Sequence, residues 1–298
     1  MWGSQQNEGS EPEYNVRSRF FAPPPEFDGC FTTFYHLDLT VEDSATISDH
    51  LQPEWAGIRF LCGSLPTAQL GNFSVDRPRF VASGPSSLPT HFEIGTTRLW
   101  GVGFLPLGWC RFLDVEAASL ANTIHDGEAH AAFAKFAPLT EILCDPSIDD
   151  QTQFEAISET MRRLMRETRD DDKVIRVHRA MVDENVASVT DFAEAAAVSI
   201  RTLERICGRY FGFAPKILLR RQRFMRSLTT FMLHPGGRWT DAMDEHYHDQ
   251  AQFTREFHTF MGMPPSAYAS MEHPILSAFV EARARIWGSP AQTLDKPD

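Results

Sequence analysis

A helical pattern that occurs twice, 50 residues apart, in the C-terminal third of this 298-residue chain limits its possible folds more than anything else in it. The first copy runs from Asp191-Phe-Ala-Glu into Ser199-Ile-Arg-Thr-Leu-Glu-Arg205, and the second from Trp239-Thr-Asp-Ala into Asp249-Gln-Ala-Gln-Phe-Thr-Arg255. In each, a residue able to cap orphan N–H groups (Ser199, Asp249) opens a helix, and an apolar residue is followed two positions later by Arg: Leu203 and Arg205, Phe253 and Arg255. Each copy ends in Gly and Pro, as Gly212-Phe-Ala-Pro215 and Gly262-Met-Pro264-Pro265. A short helix, a break of three or four residues and a capped second helix make a helix-turn-helix. Phe192, Ala193, Val198, Leu203 and Ile206 fall on the inner face, leaving Arg201, Glu204, Arg205 and Arg209 outside. Pro215 opens a long helix to about His234 between the copies, and nothing from residue 174 to 271 alternates as a strand does. The pattern therefore predicts an all-α domain of two helix-turn-helix units joined by one long helix.

Charge sharpens that reading. The chain carries 28 Lys and Arg against 40 Asp and Glu, a net of −12, which taken whole argues against a polyanionic partner. The excess acid is local: residues 1–173 hold 13 basic and 26 acidic residues, residues 174–271 hold 12 and 10. Between Ser199 and Arg226 stand Arg201, Arg205, Arg209, Lys216, Arg220, Arg221, Arg223 and Arg226, with Glu204 the one acid. Such a run fits a solvated helix face or a phosphate-facing surface, and charge alone leaves both open.

The remainder divides in two. Residues 1–16 are polar and acidic and read as a disordered leader; residues 17–146 read as a β-rich regulatory domain. Phe31 to Thr40, Gly57 to Cys62, Pro78 to Ala82 and Arg98 to Phe104 look like strands bounded by turn residues, as in a small β-barrel or sandwich. The Ala-rich stretch from Ser119 to Phe136 reads as helical. In residues 147–173, Phe154, Ile157, Met161, Leu164 and Met165 form an apolar stripe on a linker helix, packed on its own domain or on a second copy, and Asp170 to Lys173 read as a hinge. A further helix is expected in the tail, 272–298. The fold class is thus α+β, with a β-rich N-terminal domain and an all-α C-terminal one.

On these residues the segment 174–271 resembles the DNA-binding domain of the AraC family of bacterial transcriptional regulators. The resemblance rests on Ser199 to Arg205, Gly212 to Pro215, Leu219-Arg-Arg-Gln-Arg223, Asp249-Gln250, Phe253 to Phe257 and Gly262-Met-Pro-Pro-Ser-Ala-Tyr268. It implies a cytoplasmic, sequence-specific regulator whose first recognition helix reads bases with Arg201, Glu204 and Arg205, and whose second does so with Ala251, Gln252 and Arg255. Phosphate contacts would come from Ser199, Arg209, Arg220, Arg221, Arg223 and Gln250. Double-stranded DNA, a small-molecule effector, RNA polymerase and a second copy of the chain are the implied partners, with no cofactor and no membrane. Three departures stand out: His246 where the family has Gly, Asp241 where it has an aliphatic residue, and Cys207 where it has Phe. Asp241, Asp244 and Glu245 make the supporting helix of the second unit acidic and suggest that this unit contributes less affinity.

More loosely, Arg98-Leu-Trp-Gly-Val-Gly-Phe-Leu-Pro-Leu-Gly-Trp-Cys110 resembles the barrel sensor domains that precede this unit. Trp55, Phe60, His91, Trp100, Phe104 and Trp109 are the candidates to line a ligand pocket, or else to fill a solid core. Five widely spaced cysteines without a CxxC pair predict neither a disulfide framework nor a structural zinc site, in keeping with a reducing compartment. His246, His248 and His258 lack further ligands at binding spacing, so no metal is expected. Two alternatives remain: a cupin-like barrel enzyme or metal-binding protein with accessory DNA binding, and an interaction protein whose helical domain no longer binds DNA.

Overall fold

The computed structural model describes residues 13–234 and 236–297. Ten strands come first: β1 (Tyr14–Phe21), β2 (Phe31–Val41), β3 (Ile47–Leu51), β4 (Gly57–Gly63), β5 (Thr67–Leu70), β6 (Phe73–Asp76), β7 (Phe80–Ser83), β8 (Thr90–Ile94), β9 (Thr97–Phe104) and, after helix α1 (Pro106–Phe112), β10 (Ile124–Asp126). They form a six-stranded antiparallel sheet in the order β1-β2-β9-β4-β7-β10 and a four-stranded sheet in the order β3-β8-β5-β6. Helices α2 (Leu139–Leu143) and α3 (Asp150–Leu164) come next. The C-terminal domain comprises α4 (Asp171–Val182), α5 (Val189–Ala195), α6 (Ile200–Ile206), α7 (Pro215–Leu233), α8 (Trp239–Ala242), α9 (Gln250–Met261), α10 (Pro265–Ala269) and α11 (Leu276–Trp287).

The four expected strands are β2, β4, β7 and β9 of the larger sheet. Alternation along each gives one face rich in aromatic residues and another that is mostly aliphatic, with Tyr35 of β2 on the latter. Phe34, Phe60, Trp100 and Phe104 pack under the helices, while Leu37, Leu61 and Leu99 face the smaller sheet. The Trp100-Gly-Val-Gly run serves this packing, because a Cβ on Gly101 would stand 2.0 Å from the Tyr35 ring. Between the sheets lies a cavity of about 110 Å³, closed at one end by α11.

Several expectations are corrected. Of the leader, residues 1–12 lie outside the described residues, and Tyr14 to Val16 belong to β1, paired with β2. Ser119 to Phe136 is not a helix but two 3-10 turns around β10. The hinge at Asp170 to Lys173 is the start of α4, with the Asp170 side chain only 3% exposed. Cys62 and Cys144 form a disulfide between β4 and the end of α2, a pair 82 residues apart that no local spacing reveals.

Three apolar clusters result. The first is continuous from the aromatic face of the large sheet through Ile157 and Met161 of α3 and Val174 of α4 to Phe192, Leu203 and Phe211 of the first helix-turn-helix. The linker helix therefore packs on its own chain. The second fills the space between the sheets and takes in Ile275 and Phe279 of the C-terminal segment. The third belongs to the second helix-turn-helix, built on Phe224, Phe253, Phe257 and Tyr268, with the Trp239 ring stacked on Phe231 at 3.6 Å.

Candidate nucleic-acid interface

Helix α5 opens on a capping box in which Ser188 Oγ accepts from Asp191 N and the Asp191 carboxylate accepts from Ser188 N. The turn after it is made by Ala197 at φ +51°, a left-handed position that Gly would occupy more easily. Ser199 then caps α6, its Oγ accepting from Thr202 N at 3.2 Å. Leu203 and Ile206 are buried, and Arg201, Glu204 and Arg205 stand exposed on the outer face. Gly212 (φ +84°) ends this unit against Pro85 of the β-rich domain.

Helix α9 repeats the arrangement. Asp249 caps it, accepting from Gln252 N at 2.7 Å, and Phe253 and Phe257 are buried. Ala251, Thr254 and Arg255 are exposed, at the helical positions of Arg201, Glu204 and Arg205. The Gln252 side chain is half-buried, its Oε1 accepting from His248 N at 2.9 Å.

A groove of about 700 Å³ runs between the two units, lined by Ser188 and Val189 at the start of α5, Lys216, Arg220 and Arg223 of α7, and Gln252, Arg255 and Thr259 of α9. Ser199 and Gln250, expected on phosphate, sit exposed at the openings of α6 and α9. Arg209 is exposed, its guanidinium 5.4 Å from the Tyr210 ring centroid. Among the described residues Arg201, Arg209, Lys216 and Arg255 have no acid at ion-pair distance.

The other arginines are engaged. Glu256 occupies the buried position that Ile206 holds in the first unit, and its carboxylate accepts from Arg220 at 2.9 Å, Arg223 at 2.7 Å and the Tyr247 hydroxyl at 3.1 Å. Arg226 pairs with Asp244, whose backbone N–H donates to Ser227 Oγ. Two acids of the second unit thus fasten α7 to α9 and to the turn after α8. Sequence reasoning missed Glu256; the signal was a carboxylate standing at an inward helical position.

Arg205 does more than face outward. Its two terminal nitrogens donate to the two oxygens of Asp170, at 3.0 and 3.2 Å, in a fork-to-carboxylate pair. Asp170 also accepts from the Tyr210 hydroxyl and the Lys173 ammonium. The Arg205 hydrogen bonds, with those from Lys173 and Tyr210, hold the Asp170 carboxyl well below the usual carboxylate range.

Arg221 is a correction. It is 0% exposed, stacked 4.0 Å over the Trp55 ring with Nη1 donating to Ser86 O, inside the contact between the two domains. The basic run counted it as a surface charge, whereas its place on α7 points it inward. The pocket set is corrected too: Trp55, Phe60, Trp100, Phe104 and Trp109 are buried in the first cluster, and His91 lies on β8 bonded to Ser48 Oγ. None of the six lines the cavity: Phe60, Trp100 and Phe104 lie on the face of the large sheet turned away from it, Trp55 and Trp109 pack in the same cluster, and His91 alternates on β8 with the cavity-lining Thr90 and Phe92.

Among the described residues no three His, Cys, Asp or Glu side chains come together as a metal site, and no helix is long and apolar enough to cross a membrane.

No curated protein sequence matches the chain. Among solved structures it is similar to ToxT from Vibrio cholerae, at 10% identity over 86% of this chain and 97% of that one, with a TM-score of 0.43. It is also similar to ToxT from Vibrio cholerae O395 bound to (E)-4-(8-methylnaphthalen-1-yl)but-3-enoic acid, at 9% identity over 86% and 98%, TM-score 0.41. The AraC-like transcriptional activator CuxR is similar at 13% identity over 71% and 86%, TM-score 0.28. A helix-turn-helix domain model matches residues 192–271, which span the two capped helices and the helix that joins them. Residues 192–271 thus match a helix-turn-helix domain model of the AraC type.

Proposed function

We propose that the chain is a sequence-specific transcriptional regulator in which the helical domain reads duplex DNA and the β-rich domain senses a small ligand. The observation that carries the reading is the pair of capped helices in the same register, each presenting exposed arginine, with a groove lined by Lys216, Arg220, Arg223 and Arg255 between the two units. Arg201, Glu204 and Arg205 would face base edges in one major-groove segment, and Ala251, Gln252 and Arg255 in the next. Ser199, Arg209, Lys216 and Gln250 would hold phosphates, while Arg220 and Arg223, pinned by Glu256, set the angle between α7 and α9. Because Arg205 is forked onto Asp170 at the start of α4, the placement of the first recognition helix depends on the junction with the sensor. Cytoplasmic location and contacts with RNA polymerase and a second copy of the chain belong to the same proposal.

Selection of bound sequences from a random duplex pool with the purified protein tests it. The expected result is a site with two specified segments about 10 base pairs apart, bound with a steep salt dependence. Arg201→Ala should relax one segment and Arg255→Ala the other, each losing about 1–3 kcal/mol. Binding without salt dependence, or losses spread evenly over all sequences, would overturn the proposal.

A further inference from the structure

The cavity between the sheets is not closed by the β-rich domain alone. Its floor is the aliphatic face of the large sheet, with Leu61 and Leu99, and its roof is the C-terminal segment, with Phe279 and Val280 of α11 and Gln292 beyond it. That segment comes after the last helix of the helix-turn-helix domain and is fastened to the smaller sheet at its start. Asp49 of β3 accepts from Ile275 N at 2.9 Å and Leu276 N at 2.8 Å. It is fastened to the DNA-binding domain at its end, where Gln222 Nε2 of α7 donates to Thr293 O at 2.7 Å.

Three observations define what the cavity can hold. At about 110 Å³ it is close to the roughly 150 Å³ of apolar cavities that stay dry and admit one benzene ring. Its two cations are already neutralised: Arg59 donates to both oxygens of Glu54 at 2.7 and 2.8 Å, and Arg283 to both of Asp295 at 2.8 and 2.7 Å. A charged ligand would therefore be stripped of water with no opposite charge to meet it. Gln292 is 8% exposed, and its Oε1 is buried with no hydrogen-bond partner among the described residues. A buried acceptor left unmatched is destabilising, and a hydroxyl donating to it removes that penalty.

We propose that the cavity is an effector site for a compact, uncharged molecule, a single apolar ring bearing one hydrogen-bond donor, and that the C-terminal segment supplies its recognition. This rests on the reading of the β-rich domain as a sensor. The test uses the full chain with phenol, toluene and benzoate as probes, titrated calorimetrically. Phenol is expected to bind about two- to tenfold more tightly than toluene, the factor of one net hydrogen bond, and benzoate more weakly than either. Gln292→Leu should erase the preference for phenol and leave toluene unchanged. Val280→Trp or, from the opposite wall, Ala68→Leu should remove binding of both neutral probes, with the fold checked by circular dichroism and an unchanged cooperative urea transition. Benzoate binding most tightly, phenol and toluene binding equally to the unaltered chain, binding that survives both filling variants, or no binding of any probe would overturn the proposal. Absence of DNA binding with these ligand preferences intact would instead overturn the regulator reading alone.

Discussion

Replacing Arg221 by methionine sets the position's charge against its burial. The guanidinium is fully buried over Trp55, 5.6 Å from the Phe213 ring, and donates to Ser86 O at 2.8 Å. Burial without a carboxylate partner pushes its pKa down to about 9. Against the ordinary guanidinium value, that fall corresponds to about 5 kcal/mol of penalty on the cation. The ring contact returns about 2 kcal/mol in a desolvated setting, and the charge-assisted hydrogen bond about 2 kcal/mol. Methionine fills much of the same space and carries no charge to desolvate. Arg221→Met should therefore match the parent or exceed it by about 1 kcal/mol at pH 7 in urea denaturation. In DNA binding the variant should leave the dependence of log K on log salt unchanged, whereas Arg209→Ala should lower its slope by about 1. A loss above about 3 kcal/mol at pH 7, or a slope reduced by Arg221→Met, would refute the reasoning.

Burial, reinforced by the neighbouring Arg221, pushes the pKa of His178 down to about 3. The folded protein keeps it neutral while the unfolded chain protonates near the ordinary value, so stability should fall as pH drops from about 6.5 to about 3, by up to about 4 kcal/mol. Urea denaturation of His178→Phe at pH 7, 5 and 4 should show a shallower loss, and an unchanged one would contradict the assignment. Ala197→Gly should raise stability by about 0.5–1 kcal/mol by relieving a left-handed alanine, measured as a shift in the urea midpoint. The Cys62–Cys144 bond closes 82 residues, so its reduction should destabilise by up to about 4 kcal/mol. A Cys62→Ser variant whose stability no longer responds to dithiothreitol would confirm which pair is responsible.

The legible part of the fold was the part written in local signals. Ser199 and Asp249 as caps, Gly212 and Gly262 as left-handed ends and Pro215 at a helix start all stand where the spacing predicts them. The strands of the large sheet were legible because each is long enough or apolar enough to show between turns. The smaller sheet was not: β5 and β6 have four residues each, with polar residues such as Gln69 and Ser74 among them, and pairing alone makes them strands. The site divided the same way. The outward sets on α6 and α9 follow from helical period, but which arginines of α7 are free depends on carboxylates elsewhere.

Local sequence was enough to set the two helix-turn-helix units, the outward faces of their second helices and the β-rich class of the N-terminal half, since each depends on neighbours within a turn or a strand. Only tertiary packing brought Asp170 onto Arg205, turned Arg221 in onto Trp55, and let Asp49 fasten a helix starting 227 residues later. These contacts join groups with no common period, which meet only when the first helix-turn-helix packs onto the large sheet and the C-terminal segment onto the smaller one. The acid excess that at first excluded DNA is answered in the same way. Most of it lies in the N-terminal half, while Glu256 and Asp244 fix the arginines of α7, leaving Arg201, Arg209, Lys216 and Arg255 to face outward.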